Sequence, residues 1–172
     1  MKTHKKASPK ANPTTPLRPH PRMEIAVSNR YPALRDPEGA TQSLTDCVQS
    51  LSQFALPTGE LSIVFVDDPA IATIHAQFMD DPSPTDVITF PPEPQMQSAG
   101  EIIVSVDHAR TRAAELDLPF ARELALYLVH GWLHLCGYDD RNDTDREKMR
   151  AAEATLLGAL DELLQFPDFQ LQ

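Results

Sequence analysis

The sequence predicts an α+β domain: a small β-sheet packed by about five helices. Three observations predict it. The apolar period switches between 2 and 3.6 along the chain in the order strand, helix, strand, helix, strand, strand, helix, helix, helix. The 172 residues suffice for one core. No run reaches eighteen apolar residues, so no segment is expected to span a membrane.

The elements follow in order. Residues 1–22 carry five prolines and no apolar periodicity, which reads as a disordered leader. A single domain over residues 23–166 and a loose tail over 167–172 are expected after it. Glu24 to Asn29 alternates apolar and polar residues, a first strand. Tyr31 to Glu38 is a proline-punctuated loop. Thr41 to Phe54 places Leu44, Cys47, Val48 and Leu51 at helical spacing. Leu61 to Val66 is a strand, and Asp67-Asp68-Pro69 opens a helix to about Phe78, with proline in its first turn. Asp86 to Phe90 is a short strand ended by Pro91 and Pro92. Ile102 to Val106 is a continuous apolar run, hence a central strand, and Asp107 is placed to cap a helix through Leu116. Pro119 opens a long helix that is apolar around most of its circumference from Ala121 to Leu135. The last helix, Arg146 to Leu164, carries Met149, Ala152, Leu156, Leu160 and Leu163 on one face.

Charge is divided unevenly. Residues 1–22 hold six basic residues and no acid. The other 150 hold nine basic and all 25 acidic residues, a net charge of −16. A body so acidic is a poor general binder of polyphosphate. The leader offers a tether to RNA; a leader without specific function, or a true start at Met23, are the alternatives. Its removal is expected to leave the melting temperature within about 2 °C, because such termini bury little surface. Differential scanning fluorimetry of full-length and shortened protein checks this. Cys47 and Cys136 form no disulfide framework and read as free thiols of a reducing cytoplasm. Cys136 is expected to pack in the helix, and His75 and His108 lack a spacing partner.

The chemistry concentrates in residues 130–140. His130 and His134 stand four apart on one helix face, separated by about 6 Å along the axis. Gly137 supplies a left-handed turn that ends the helix and brings Asp140 back toward the pair. Two imidazoles and a carboxylate leave one position open on a bound ion, the arrangement of a catalytic zinc site. One zinc per chain on His130, His134 and Asp140 is expected, activating a water for hydrolysis.

The string His130-Gly-Trp-Leu-His-Leu-Cys-Gly-Tyr-Asp139 resembles the signature of the YbeY family of metal-dependent endoribonucleases, the rRNA maturation factors. Pro84-Thr85-Asp86-Val87-Ile88-Thr89-Phe90-Pro91 and Gly100-Glu101-Ile102-Ile103-Val104-Ser105 are similar to two further blocks of that family, in the same order. The resemblance spans roughly residues 60–157. It implies a small, mostly parallel four-stranded sheet with one antiparallel strand and a zincin-like metal helix. It also implies a single-strand-specific endoribonuclease acting on ribosomal RNA, at the 3′ end of the small-subunit rRNA, with the ribosome or ribosomal proteins as partners and neither DNA nor membrane. Two positions depart from the family pattern. Asp140 stands where the third ligand is usually histidine, and Met79 stands where an arginine is usual.

Supporting roles are expected for four residues. Tyr138 and Asp139 either hydrogen-bond a ligand imidazole or serve the turn. Thr85 and Asp86 line the cleft by family likeness or satisfy the turn backbone. Arg112 and Arg122 are candidate phosphate contacts or solvated surface. Two other functions stand beside the nuclease. The His-x-x-x-His-x-x-Gly spacing is shared with the metzincin zinc metalloproteases, but their general-base glutamate is replaced by Gly131. A non-catalytic ribosome-assembly factor with a structural zinc is the other.

Overall fold

The computed structural model describes residues 23–172. Strands β1 (Glu24–Asn29), β3 (Glu60–Val66), β4 (Val87–Phe90) and β5 (Ser98–Ser105) form one sheet in the order β1-β3-β5-β4. β1, β3 and β5 run parallel, and β4 pairs antiparallel with β5 at the edge. This is the sheet that the family resemblance implies. A two-stranded ribbon, β2 (Leu34–Arg35) with β6 (Gln170–Leu171), lies apart from it.

Side chains on successive strand residues point to opposite faces, so the central strands feed two cores. Ile63, Phe65, Ile102 and Val104 pack against α1 (Pro37–Ser50), α4 (Phe120–Leu135) and α5 (Asp143–Asp161). Val64, Val66, Ile88 and Ile103 pack against Ile71 of α2 (Asp68–Met79). Both faces are covered, which is why β3 and β5 read as apolar runs. A fifth helix, α3 (Val106–Leu116), contributes Val106 and Ala109 to the larger core.

α4 is the centre of that core. Trp132 is fully buried, and its indole N–H donates to the Phe54 carbonyl at 2.8 Å. Gly131 sets how closely α4 approaches the sheet. A Cβ there would stand 2.8 Å from Ile102 Cγ2 and 3.0 Å from Val87 Cγ2. Both methyls belong to β-branched residues with little rotamer freedom. Gly131→Ala is therefore expected to destabilise the fold. Overpacking costs about 1–3 kcal/mol, and the helix propensity gained, about 1 kcal/mol, offsets only part of it. A melting temperature lower by a few degrees is the expected readout.

Four sequence expectations need correction. The Tyr31–Glu38 loop contains β2, and α1 begins at Pro37. The N-cap of α3 is Ser105, whose hydroxyl accepts from the His108 N–H at 3.0 Å. Asp107 instead accepts from the Tyr31 hydroxyl at 2.7 Å and the Asp68 N–H at 3.2 Å. α5 begins at Asp143, capped by Asn142, and ends at Asp161, leaving Leu164 exposed. The tail over 167–172 is not loose: Phe169 is buried against Phe65, with ring centroids 6.0 Å apart, and β6 holds the chain to β2. Burial of one aromatic ring anchors a segment too short to show periodicity. The expected leader over residues 1–22 lies outside the described residues.

Candidate metal centre

The end of α4 builds the site. Gly137, at φ 91°, takes the left-handed conformation that only glycine adopts freely. The Tyr138 N–H donates to the Leu133 carbonyl at 3.0 Å, and the Gly137 N–H donates to the His134 carbonyl at 3.0 Å. These two bonds make a Schellman turn, which satisfies the last carbonyls of the helix and reverses the chain. The reversal carries Asp140 to within 3.6 Å of His130, measured Oδ2 to Nε2. Arg146 of α5 holds the returning backbone by donating to the Asp140 carbonyl at 3.0 Å.

One ligand atom from each of His130, His134 and Asp140 lies within 4.8 Å of the others. The two imidazole Nε2 atoms are 3.0 Å apart, with the rings nearly perpendicular at 88°. Ligand atoms roughly 2.0–2.2 Å from a tetrahedral ion stand about 3.3–3.6 Å from one another. The separations of 3.0 and 3.6 Å bracket that range. The outer nitrogens strengthen the fit. His130 Nδ1 faces Glu153 Oε1 at 2.6 Å, and His134 Nδ1 faces the Tyr138 carbonyl at 3.1 Å. An ionised carboxylate and a carbonyl only accept, so both contacts select the tautomer with the proton on Nδ1. With both protons on Nδ1, the two Nε2 lone pairs would face each other across 3.0 Å, an arrangement suited to a cation between them, either a proton or a metal ion.

Electrostatics favour such a cation. Burial alone would push the His130 pKa down. The hydrogen bond and charge of Glu153, with the charges of Asp86 and Asp140, outweigh burial and leave it raised. Cys136 is not part of the group. Its thiol donates to the Phe54 carbonyl at 3.2 Å, and burial pushes its pKa up to about 11.

The supporting residues divide. Asp86 lies close enough to act on His130 through its charge, while its Oδ1 accepts from the Thr85 hydroxyl at 3.0 Å and the Val87 N–H at 2.9 Å. Thr85 thus serves the strand start. Tyr138 contributes its backbone carbonyl and not its hydroxyl. Asp139 serves the turn, accepting from the Asp140 N–H at 2.8 Å and from Arg141 Nε at 2.6 Å. Arg112 pairs with Glu115, and Arg122 pairs with Asp161 two helical turns before His130, so neither joins the group. A cleft of about 760 Å³ opens at the N-terminal ends of the parallel strands, lined by Glu24, Glu60 and Gln97 among others. No imidazole lines it, whereas the candidate donor set of two imidazoles and a carboxylate lies at the end of α4.

Glu153 is the residue that the sequence did not single out. It stands on α5, four residues after Met149 and three before Leu156, both buried. A carboxylate at helical spacing within a buried stripe was the available signal.

Comparison with known proteins bears on the same region. The family described as Endoribonuclease YbeY matches residues 28–161, well over half of the chain. An Endoribonuclease YbeY of Porphyromonas gingivalis is 37% identical over 113 residues, covering 66% of this chain and 75% of that one. One of Mycolicibacterium gilvum is 38% identical over 153 residues, covering 78% of this chain and 82% of that one. The solution structure of TM1509 from Thermotoga maritima aligns with a TM-score of 0.57 at 25% identity, covering 78% of this chain and 87% of that one. The chain belongs to the YbeY endoribonuclease family.

Proposed function

We propose that this protein is a cytoplasmic, single-strand-specific endoribonuclease that works in ribosomal RNA maturation, at the 3′ end of the small-subunit rRNA, with one zinc ion per chain. The observation that carries the reading is the convergence of His130, His134 and Asp140 on one point in a chain of the YbeY family. Zinc bound there supplies Lewis acidity and, from water, a nucleophile at neutral pH. The protein's own groups set the rest. His130 and His134 present Nε2 because Glu153 and the Tyr138 carbonyl hold Nδ1. Asp140 and Asp86 add negative charge beside the histidines. Hydrolysis adds water across one P–O bond: the water oxygen bonds phosphorus, and the departing sugar oxygen takes a proton. Ribosomal RNA, with the ribosome or its proteins, is the partner class. Among the described residues no helix is long and apolar enough to cross a membrane.

The protease alternative has a specific obstacle. The metzincin base position is Gly131, where a side chain would run into Ile102 and Val87 of the sheet. A peptidase without its base loses roughly 100- to 10,000-fold in rate. The assembly-factor alternative draws on Met79, in place of a cation, and on the acidic body. The test is metal analysis of purified protein together with cleavage of single-stranded RNA, with and without chelator. Chelator-sensitive RNA cleavage is expected. Zinc-loaded protein that cuts no RNA supports the assembly factor.

A further inference from the structure

We infer that Glu153 is a positioning residue of the metal centre: it locks His130 in the Nδ1–H form and so tightens metal binding by the centre. The inference rests on the metal reading of His130, His134 and Asp140. It goes beyond that reading by assigning a role to a fourth residue from another helix.

Three observations carry it. The contact is short, 2.6 Å from His130 Nδ1 to Glu153 Oε1. It is sheltered, because both side chains are only 17% exposed. It is also dedicated. Glu153 has Arg150 one turn before it on its own helix, yet its ion-pair partner among the described residues is His130. Burying a carboxylate is costly unless it is paired, so the position is not that of a solvated surface glutamate. The packing of α5 on α4 brings the two groups together across 23 residues of sequence.

The consequence follows from proton inventory. A free imidazole exchanges its single proton between Nδ1 and Nε2, and its ring turns about χ2. An ionised carboxylate only accepts, so it selects the form with the proton on Nδ1 and the lone pair on Nε2. That lone pair faces His134 Nε2 and Asp140. His134 receives the same service from the Tyr138 carbonyl, which side-chain substitution cannot remove. Glu153 is therefore the point at which the outer layer of the site is open to mutation. The carboxylate also makes the His130 nitrogen more basic toward a cation.

Zinc affinity measured by competition with a chromophoric chelator tests this for wild type, Glu153→Gln and Glu153→Ala. Removing such an outer partner weakens binding about 10- to 100-fold. Glu153→Ala is expected in that range. Glu153→Gln, which keeps an acceptor oxygen but loses the charge, is expected between it and wild type. Cobalt-loaded proteins should show the loss as a changed visible spectrum, which a purely structural role would leave unaltered. Long-range ¹H–¹⁵N spectra of zinc-loaded wild type need no variant, and they should place the His130 proton on Nδ1. Absence of zinc from wild type overturns the metal reading and the role of Glu153 with it. Zinc bound equally tightly by wild type and Glu153→Ala, or a His130 proton on Nε2, overturns the role of Glu153 alone.

Discussion

Replacing His134 with alanine is expected to remove bound zinc and to abolish RNA cleavage. His134 is one of the three proposed zinc ligands, and its Nε2 lies 3.0 Å from that of His130. If three ligands share a binding free energy of about 10–16 kcal/mol, one ligand is worth roughly 3–5 kcal/mol, a hundred- to several-thousand-fold in affinity. Elemental analysis of wild type and variant measures this directly. Equal zinc in both removes the proposed site. Nickel in place of zinc does not, because imidazole and carboxylate accept either ion. Chelation of wild type should show the same loss as stability. Free zinc at a thousandfold above its dissociation constant adds about 4 kcal/mol to the folded state. Its removal should lower the melting temperature by roughly 10 °C in a chain of this size.

The part of this site that lies within one helix and its cap was legible in the sequence. The four-residue spacing of His130 and His134 is helix geometry, and Gly137 is where a left-handed residue was needed. Both are local, and local geometry is what spacing encodes. Glu153 was missed because its partner lies on another helix, and which residue of α5 meets His130 depends on how α5 packs on α4. The same reason hid the ribbon of β2 and β6, whose strands come from opposite ends of the described chain. Ser105 and Asp107 were equally able to cap α3. The choice fell to Ser105 because β5 continues to that residue and because Tyr31 and Asp68 claim Asp107. Asp139 looked as suited to a ligand imidazole as to the turn, and the backbone of its own loop took it.

The family fold was legible for a further reason. β3 and β5 are buried on both faces, so their sequences are apolar runs with little freedom to vary. Their pairing brings Val87 and Thr89 of β4 under α4, where Gly131 admits the close approach. The glycine after the first histidine is thus a packing requirement of the helix on the sheet. A glutamate there would have to displace β-branched side chains before it reached any substrate.

Asp140→His is expected to raise ribonuclease activity, and Met79→Arg to raise it less. As a ligand of the proposed zinc site, Asp140 would place a negative charge on the ion and beside an anionic phosphate. At an effective dielectric near 20, a unit charge about 5 Å away is worth roughly 3 kcal/mol before screening. Histidine would remove that charge and leave a bound ion a stronger Lewis acid. The exchange has room, since the Asp140 side chain is 41% exposed while its backbone is held by Arg146. Met79 ends α2 and is 53% exposed, next to Phe78, whose ring packs on Phe90 of β4 at 5.0 Å. An arginine there adds a cation in solvent, where salt screens it, so its gain should shrink as ionic strength rises. Cleavage rates of a single-stranded RNA by wild type and both variants, each at matched zinc occupancy and at two salt concentrations, check the order and the salt dependence. A decrease in both variants, with zinc-dependent cutting of an unstructured peptide by wild type, would replace the nuclease with the metzincin-like reading.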